Sequence, residues 1–254
     1  MNQPLPSLLA VFAHPDDESL SCGGVLARHA AEGARTEVVT ATWAADTVRG
    51  AELAAALRIL GAGAPRMLGY ADARASHSAP GRARWCDVPL DDAVRAVVTH
   101  IRRFRPQVVV THDAYGGLTG HPDHLHTHRV TALAVRAAGL DEFHPDAGEP
   151  WQPGALYLAT HPHSSIRVMS RYVGPRKARY GVPDAQVTAT VDVSRWLDQK
   201  VAAVLAHRTE VARGAAPSVV AGLSAADRHQ MLATEWYVRR DLLGTPGGRT
   251  ELTA

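Results

Sequence analysis

The sequence predicts an α/β fold, a Rossmann-like and mostly parallel sheet flanked by helices, with an irregular C-terminal part. Three observations carry that expectation. Short apolar runs rich in β-formers alternate with stretches of helical spacing through the first half of the chain. Glycines stand where the helical patterns stop. With 254 residues, 46% of them hydrophobic and 20% charged, the chain is long and apolar enough to bury a substantial core.

Taken in order, SLLAVFA (7–13) reads as the first strand and CGGVLARHAAEG (22–33) as a helix stopped by Gly33. TEVVTAT (36–42) reads as a second strand, VRGAELAAALRILG (48–61) as a helix closed by Gly61, and RMLGY (66–70) as a short third strand. LDDAVRAVVTHIRRF (90–104) has helical spacing, and QVVVTH (107–112) follows Pro106 as the fourth strand. PDHLHTHRVTALAVRAAG (122–139) predicts a helix with Pro122 at its first position, where a missing N–H costs nothing. ALYLATH (155–161) and VTATVDV (187–193) have strand composition. Between them, HPHSSIRVMSRYVGPRKARYGVPD reads as a long connection of the kind that shapes a site. Residues 194–213 and 224–244 read as closing helices. The expectation is a single catalytic domain, 1–244, with a flexible tail, 245–254.

Charge and cysteine usage exclude several classes. Net charge is +2, with Lys and Arg scattered, so no footprint for nucleic acid is visible. The densest basic run, RRFR (102–105), reads as the solvated end of a helix. Cys22 and Cys86 form neither a CxxC pair nor a disulfide framework. The N-terminal apolar run lacks a basic flank and matches one buried strand, too short to span a bilayer, so a cytoplasmic protein without membrane association is expected.

Two clusters carry the chemistry. HPDDE follows the first strand and THDAYGGLTGHPDH follows the fourth, so both fall at the carboxyl edge where open α/β sheets bind ligands. Together they supply His14, Asp16, Asp17, His121, Asp123 and His124, a nitrogen and oxygen set suited to catalytic zinc. His14 and Asp17, three apart, can converge on one ion while Asp16 points elsewhere, toward a bound water. One residue of the second cluster would complete a three-ligand site with an open position. Asp as a helix cap would account for one carboxylate of the first cluster, but not for three acids and a histidine.

The ordered pair AHPDDE (13–18) and GHPDH (120–124), about a hundred residues apart, resembles the PIG-L/LmbE-like zinc-dependent de-N-acetylases. That family removes an acetyl group from N-acetylglucosamine-containing substrates. The resemblance implies that His14, Asp17 and His124 bind zinc, that Asp16 is the general base, and that His121 faces the developing oxyanion with Asp123 orienting it. The family's Arg and Glu after the second strand correspond to Arg49 and Glu52, and its Asp after the third strand to Asp72. Arg49 and Asp72 thereby become candidate contacts to the sugar or to a group beyond it. Mycothiol-pathway members have Tyr where this chain has Thr119, whose shorter reach leaves the oxyanion to zinc and His121, or to another residue such as Tyr115. A late segment, KVAAVLAHRTE, resembles a family segment that often ends in Ser-Gln, here Thr209 and Glu210, and it contains His207. His and Asp ligands also suit other divalent metals.

The expected activity is therefore hydrolysis of the N-acetyl group of a small amino-sugar substrate. An amidase for another amide, such as a thiol-sugar conjugate, keeps the same metal site. A non-catalytic sugar- or nucleotide-binding Rossmann-like protein fits the fold alone, but the first loop lacks G-x-G-x-x-G and its acids would repel a pyrophosphate. Further histidines, His112, His126, His128, His161 and His163, lie near the same edge, as pocket, supporting or surface residues.

Overall fold

A computed structural model describes residues 4–173 and 180–244. The strands are β1 (Leu8–Phe12), β2 (Thr36–Thr42), β3 (Arg66–Tyr70), β4 (Val108–His112), β5 (Ala155–Thr160), β6 (Ala189–Asp192) and β7 (Thr234–Asp241). They form one sheet in the order β3-β2-β1-β4-β5-β7-β6. The first five in that order run parallel, and β7 is antiparallel to both β5 and β6. The helices are α1 (Asp17–Ala31), α2 (Val48–Leu60), α3 (Leu90–Phe104), α4 (Pro122–Ala137), α5 (His163–Val173), α6 (Leu197–Ala206), α7 (Arg208–Ala212), α8 (Ala216–Gly222) and α9 (Ala225–Leu232).

The alternation of side chains along β1 builds the two faces. Leu9 and Val11 join a core under α3 and α4, whereas Leu8, Ala10 and Phe12 join one under α1, α2 and α6. Every residue of β1 is buried, as expected of a central parallel strand covered on both sides. Burial of Phe12 alone contributes on the order of 2 to 3 kcal/mol. Gly24 lets α1 lie close to the segment entering α6: a Cβ there would stand 2.4 Å from the Cβ of Val193. From β1 the chain builds outward to β2 and β3 on one side, then returns to β4 and β5 on the other. The carboxyl ends of β1 and β4 therefore bound a crevice at the reversal point.

Four sequence expectations need correction. Helix α1 begins at Asp17 rather than at Cys22, because Asp17 and Glu18 in the first turn complement the positive helix terminus. The connection after β5 contains α5, whose Met169 packs with α6, α8 and α9 despite the Gly, Pro and basic composition around it; residues 174–179 lie outside the described residues. The helix expected over 224–244 stops at Leu232. Thr, Trp, Tyr and Val then favour the strand β7, which slots between β5 and β6. The expected tail, 245–254, also lies outside the described residues. Among them, no helix is long and apolar enough to cross a membrane.

The fourth correction concerns RRFR. Arg102 is 3% exposed, and its guanidinium donates to the carbonyls of Ala137, Ala138, Leu140, Phe143, His144 and Gly148. It thus caps α4 and ties down the following loop. Arg103, by contrast, is a half-exposed partner of Glu37. Arg102→Gln should lower the unfolding free energy by about 3 kcal/mol, because it orphans several inward carbonyls. Arg103→Gln should cost less than about 1 kcal/mol. Urea denaturation of the two variants checks the contrast.

Candidate metal centre and active site

His14 leaves the end of β1, and the next residues turn sharply into α1. Asp16 adopts φ 122°, a conformation costing on the order of 1 to 3 kcal/mol for a residue with a Cβ. Both sides of its peptide are clamped. The Asp16 N–H donates to Glu18 Oε2 at 2.9 Å, and Arg49 donates to the Pro15 carbonyl. As a result the Asp16 carboxylate makes no capping bond to the helix, and its near partner is the Arg49 guanidinium at 3.5 Å. Burial first, and then the neighbouring charge of Asp17, push the Asp16 carboxyl up to about 7 against the pull of Arg49 and His207.

The donor groups of three residues converge beside it, Asp17 offering both carboxylate oxygens. His14 Nδ1 lies 3.2 Å from Asp17 Oδ2 and 3.1 Å from His124 Nε2, and Asp17 Oδ1 lies 3.3 Å from His124 Nε2. Tetrahedral ligands about 2.1 Å from a zinc ion stand about 3.4 Å apart, so the triangle is of the right size for a divalent cation. Each ring is turned by its other nitrogen. His14 Nε2 faces Asp123 Oδ2 at 3.1 Å, and His124 Nδ1 donates to the Gly116 carbonyl at 3.1 Å, leaving the inward lone pairs free. The charge balance agrees. Burial alone would lower the His14 pKa, but its bonds to Asp123 and Asp17 and the charges of Asp17 and Asp72 raise it to about 10. A crevice that draws a proton this strongly onto an imidazole suits a cation.

Other groupings are less suitable: His14, His121 and His124 also offer atoms within 4.8 Å of one another, but His121 Nδ1 is taken by the Asp123 N–H, which leaves the proton on the other nitrogen. Asp17, His112 and His124 also fall within 4.8 Å of one another, yet His112 Nε2 accepts the Ala13 N–H at 3.2 Å. His112 stacks on His124 at 4.0 Å as a buried neutral ring, its pKa lowered to about 4 chiefly by burial. His14, Asp72, His121 and Asp123 form another cluster. There Asp123, fully buried, is already engaged by His14 and by the amides of Ala73 and Cys86 at 2.9 and 3.1 Å.

Asp123 thus orients His14 more directly than His121, whose Nδ1 stands 3.7 Å away. His121 instead caps α4 by accepting the Asp123 N–H at Nδ1, which places the ring proton on Nε2. Burial, and then the cations around it, lower its pKa to about 3, so it is a neutral donor. Asp16, Arg49, Asp72, His121 and Thr119 line one cleft with the donor triad. Arg49 faces that cleft but is held by Glu210 at 2.5 Å and by Pro15. Asp72 accepts the Arg74 N–H and stands 3.5 Å from His14 Nε2. Tyr115 is 46% exposed and lines neither that cleft nor the cavity adjoining it.

Glu18, Glu210 and His207 are the supporting residues that spacing could not place. His207 is fully buried and meets Glu18 Oε1 at 3.0 Å, while Glu210 grips Arg49, so α7 and the residue before it brace both clamps on Asp16. The remaining histidines divide. His161 lines the adjoining cavity, His128 bonds the His112 carbonyl, His126 packs on Trp85, and His163 opens α5 on the surface.

Fold and site together define a class: α/β enzymes with a His/Asp centre that could hold a metal ion. The family model for PIG-L, GlcNAc-PI de-N-acetylase, matches residues 9–135. A 1D-myo-inositol 2-acetamido-2-deoxy-alpha-D-glucopyranoside deacetylase from Rhodococcus jostii is 41% identical over 239 residues, covering 80% of this chain and 81% of that protein. A conserved protein from Thermus thermophilus superposes with a TM-score of 0.64 at 28% identity, covering 97% of this chain and 100% of that one. An N,N'-diacetylchitobiose deacetylase from Pyrococcus horikoshii, 17% identical, shares the fold with a TM-score of 0.59 over 80% of this chain and 70% of that one. The chain belongs to the PIG-L family.

The buried Glu18–His207 pair sets a pH test. Burial works against both charges, but His207 lowers the Glu18 pKa below 4.5 and Glu18 raises the His207 pKa above 6.5. The raised histidine contributes stability fully present below pH 6.5 and lost as pH rises through its folded value. The lowered glutamate contributes stability present above pH 4.5 and lost as pH falls through its folded value. The stability advantage of the native chain over His207→Gln should therefore be largest between those limits and shrink toward alkaline pH, as read from urea midpoints.

Proposed function

We propose that the chain is a divalent-metal hydrolase, with zinc as the metal, that removes the acetyl group from an N-acetylglucosaminyl glycoside of a small polyol. The observation that carries this reading is the triangle of His14 Nδ1, the Asp17 carboxylate and His124 Nε2 with the uncapped carboxylate of Asp16 beside it. The deacetylase name of the Rhodococcus relative supports the acetamido sugar and the inositol-like aglycone. Zinc on His14, Asp17 and His124 would polarise the amide carbonyl and lower the pKa of a bound water.

The chain's own residues supply the rest. Asp16, held in the cleft by the clamps on its peptide, takes the proton of the attacking water and returns it to the departing amine, so that amide and water become acetate and a free amino sugar. His121, kept neutral with its proton on Nε2, donates to the carbonyl oxygen as that oxygen gains charge, a contact worth roughly 3 to 4 kcal/mol. Asp72, Arg49 and Thr119 line the cleft that would take the sugar.

Acetate release from N-acetylglucosaminyl-inositol tests the reading with zinc-loaded and chelator-stripped protein side by side. Release should require the metal. Asp16→Asn should retain stoichiometric zinc and lose at least about 100-fold in kcat. Undiminished turnover in that variant, or release that persists without metal, contradicts the mechanism.

A further inference from the structure

The crevice opens on two sides of the donor triad, and the two differ in chemistry. Over β3, β2 and β1 lies the polar cleft of about 480 Å³, lined by Asp16, Arg49, Asp72, Arg74 and Arg213. Over β4, β5 and β7 lies a second cavity of about 160 Å³, lined away from the junction by Ala159, Met169, Val220, Met231 and Leu232. Asp17 and His124 border both, as do the apolar side chains of Leu20 and Leu118 between them. The charged groups at the base of the second cavity are already satisfied. Lys200 Nζ donates to Glu235 Oε1 at 2.8 Å and to the Leu232 carbonyl at 3.2 Å, and Glu235 also accepts the N–H groups of Gly24 and Val25. The one buried lining nitrogen without a partner among the described residues, His161 Nδ1, belongs to a neutral ring and calls for no ion.

We propose that this second cavity is an acyl-chain pocket and that the enzyme accepts amides with acyl groups longer than acetyl, up to about six carbons. The inference rests on the hydrolase reading above and extends it to the other substituent of the scissile carbonyl. A carbonyl at the junction has two arms. The nitrogen arm must face Asp16, which carries the proton for the amine, and the groups able to meet sugar hydroxyls; all of these line the polar cleft. The carbon arm then points over β4 and β5, into the apolar cavity. An acetyl methyl fills little of it, since a water-sized group takes about 30 Å³. An apolar cavity of about 150 Å³ elsewhere holds the six carbons of benzene, so one of about 160 Å³ has room for a chain of similar size.

The test is a series of glucosaminyl-inositols carrying N-acetyl, N-butanoyl and N-hexanoyl groups, hydrolysed by the zinc-loaded enzyme and followed by release of free amine. Full burial is worth about fourfold per methylene, so kcat/KM for hexanoyl should exceed that for acetyl at least tenfold. Calorimetry on Asp16→Asn should show N-hexanoylglucosaminide binding more tightly than N-acetylglucosaminide by a similar factor. Filling the cavity with Val220→Phe, or with Ser21→Leu should the first variant fail to fold, should lower the hexanoyl-to-acetyl ratio at least tenfold. Acetyl hydrolysis with longer chains tenfold worse overturns the pocket and leaves the deacetylase reading standing. A ratio unmoved in a folded filling variant also overturns the pocket. Failure to hydrolyse any member of the series overturns the hydrolase reading and the pocket with it.

Discussion

Four carboxylates, those of Asp16, Asp17, Asp72 and Asp123, are buried around one crevice, each less than a tenth exposed. Their mutual repulsion in a low-dielectric setting is the constraint around which the rest of the site is arranged. Unpaired buried charges are among the costliest features a fold can carry. The chain meets that cost partly from within, through Arg49 beside Asp16, the amides of Ala73 and Cys86 on Asp123, and the imidazoles of His14 and His124 turned toward the acids. What remains is a small negative cage whose free lone pairs point at a common centre, the condition under which His and Asp residues hold a divalent ion.

The strained Asp16 peptide follows from the same requirement. Asp17 must turn back toward His14, while Asp16 must stay out of the coordination triangle and off the helix terminus. A conventional cap conformation would direct the Asp16 carboxylate to the α1 amides. The observed backbone avoids this and is fixed from both sides by Glu18 and Arg49. Their braces, His207 and Glu210, come from a segment nearly the whole chain away, so the C-terminal half serves the active loop as a backing plate as well as forming the cavity roof. In the same segment Thr209 reaches Glu52 and Glu210 pairs with Arg49, so both residues hold α7 against α2.

Much of the fold was legible because β1 to β5 are short apolar runs bounded by Gly, Pro and helical periods, and because parallel strands buried on both faces read as continuous hydrophobic stretches. The C-terminal part was less legible for a physical reason. β7 follows α9 with only Ala233 between them, and its burial alternates only in its first half, so no break separated helix from strand. Arg102 reads as a solvated charge because its partners are backbone carbonyls, which leave no sequence signature. At the site, the two motifs brought a His and Asp set to one sheet edge, but spacing did not separate the residues that face the junction from those that support them. Asp123 and His121 are two apart, yet one turns back to His14 and the other caps α4, a distinction set by the backbone at the helix start.

On the proposed reading, the polar and apolar sides of the crevice, the clamped Asp16 and the neutral His121 all take their meaning from a cation that the residues at the junction of β1 and β4 would hold. Zinc-edge X-ray absorption on the stoichiometrically loaded protein tests that claim most directly. Two imidazole nitrogens, with oxygens completing the coordination, and loss of zinc binding in His14→Ala and His124→Ala but not in His121→Ala, are the results the account predicts. A three-imidazole signature, or zinc held as tightly after His124→Ala as before, would contradict it.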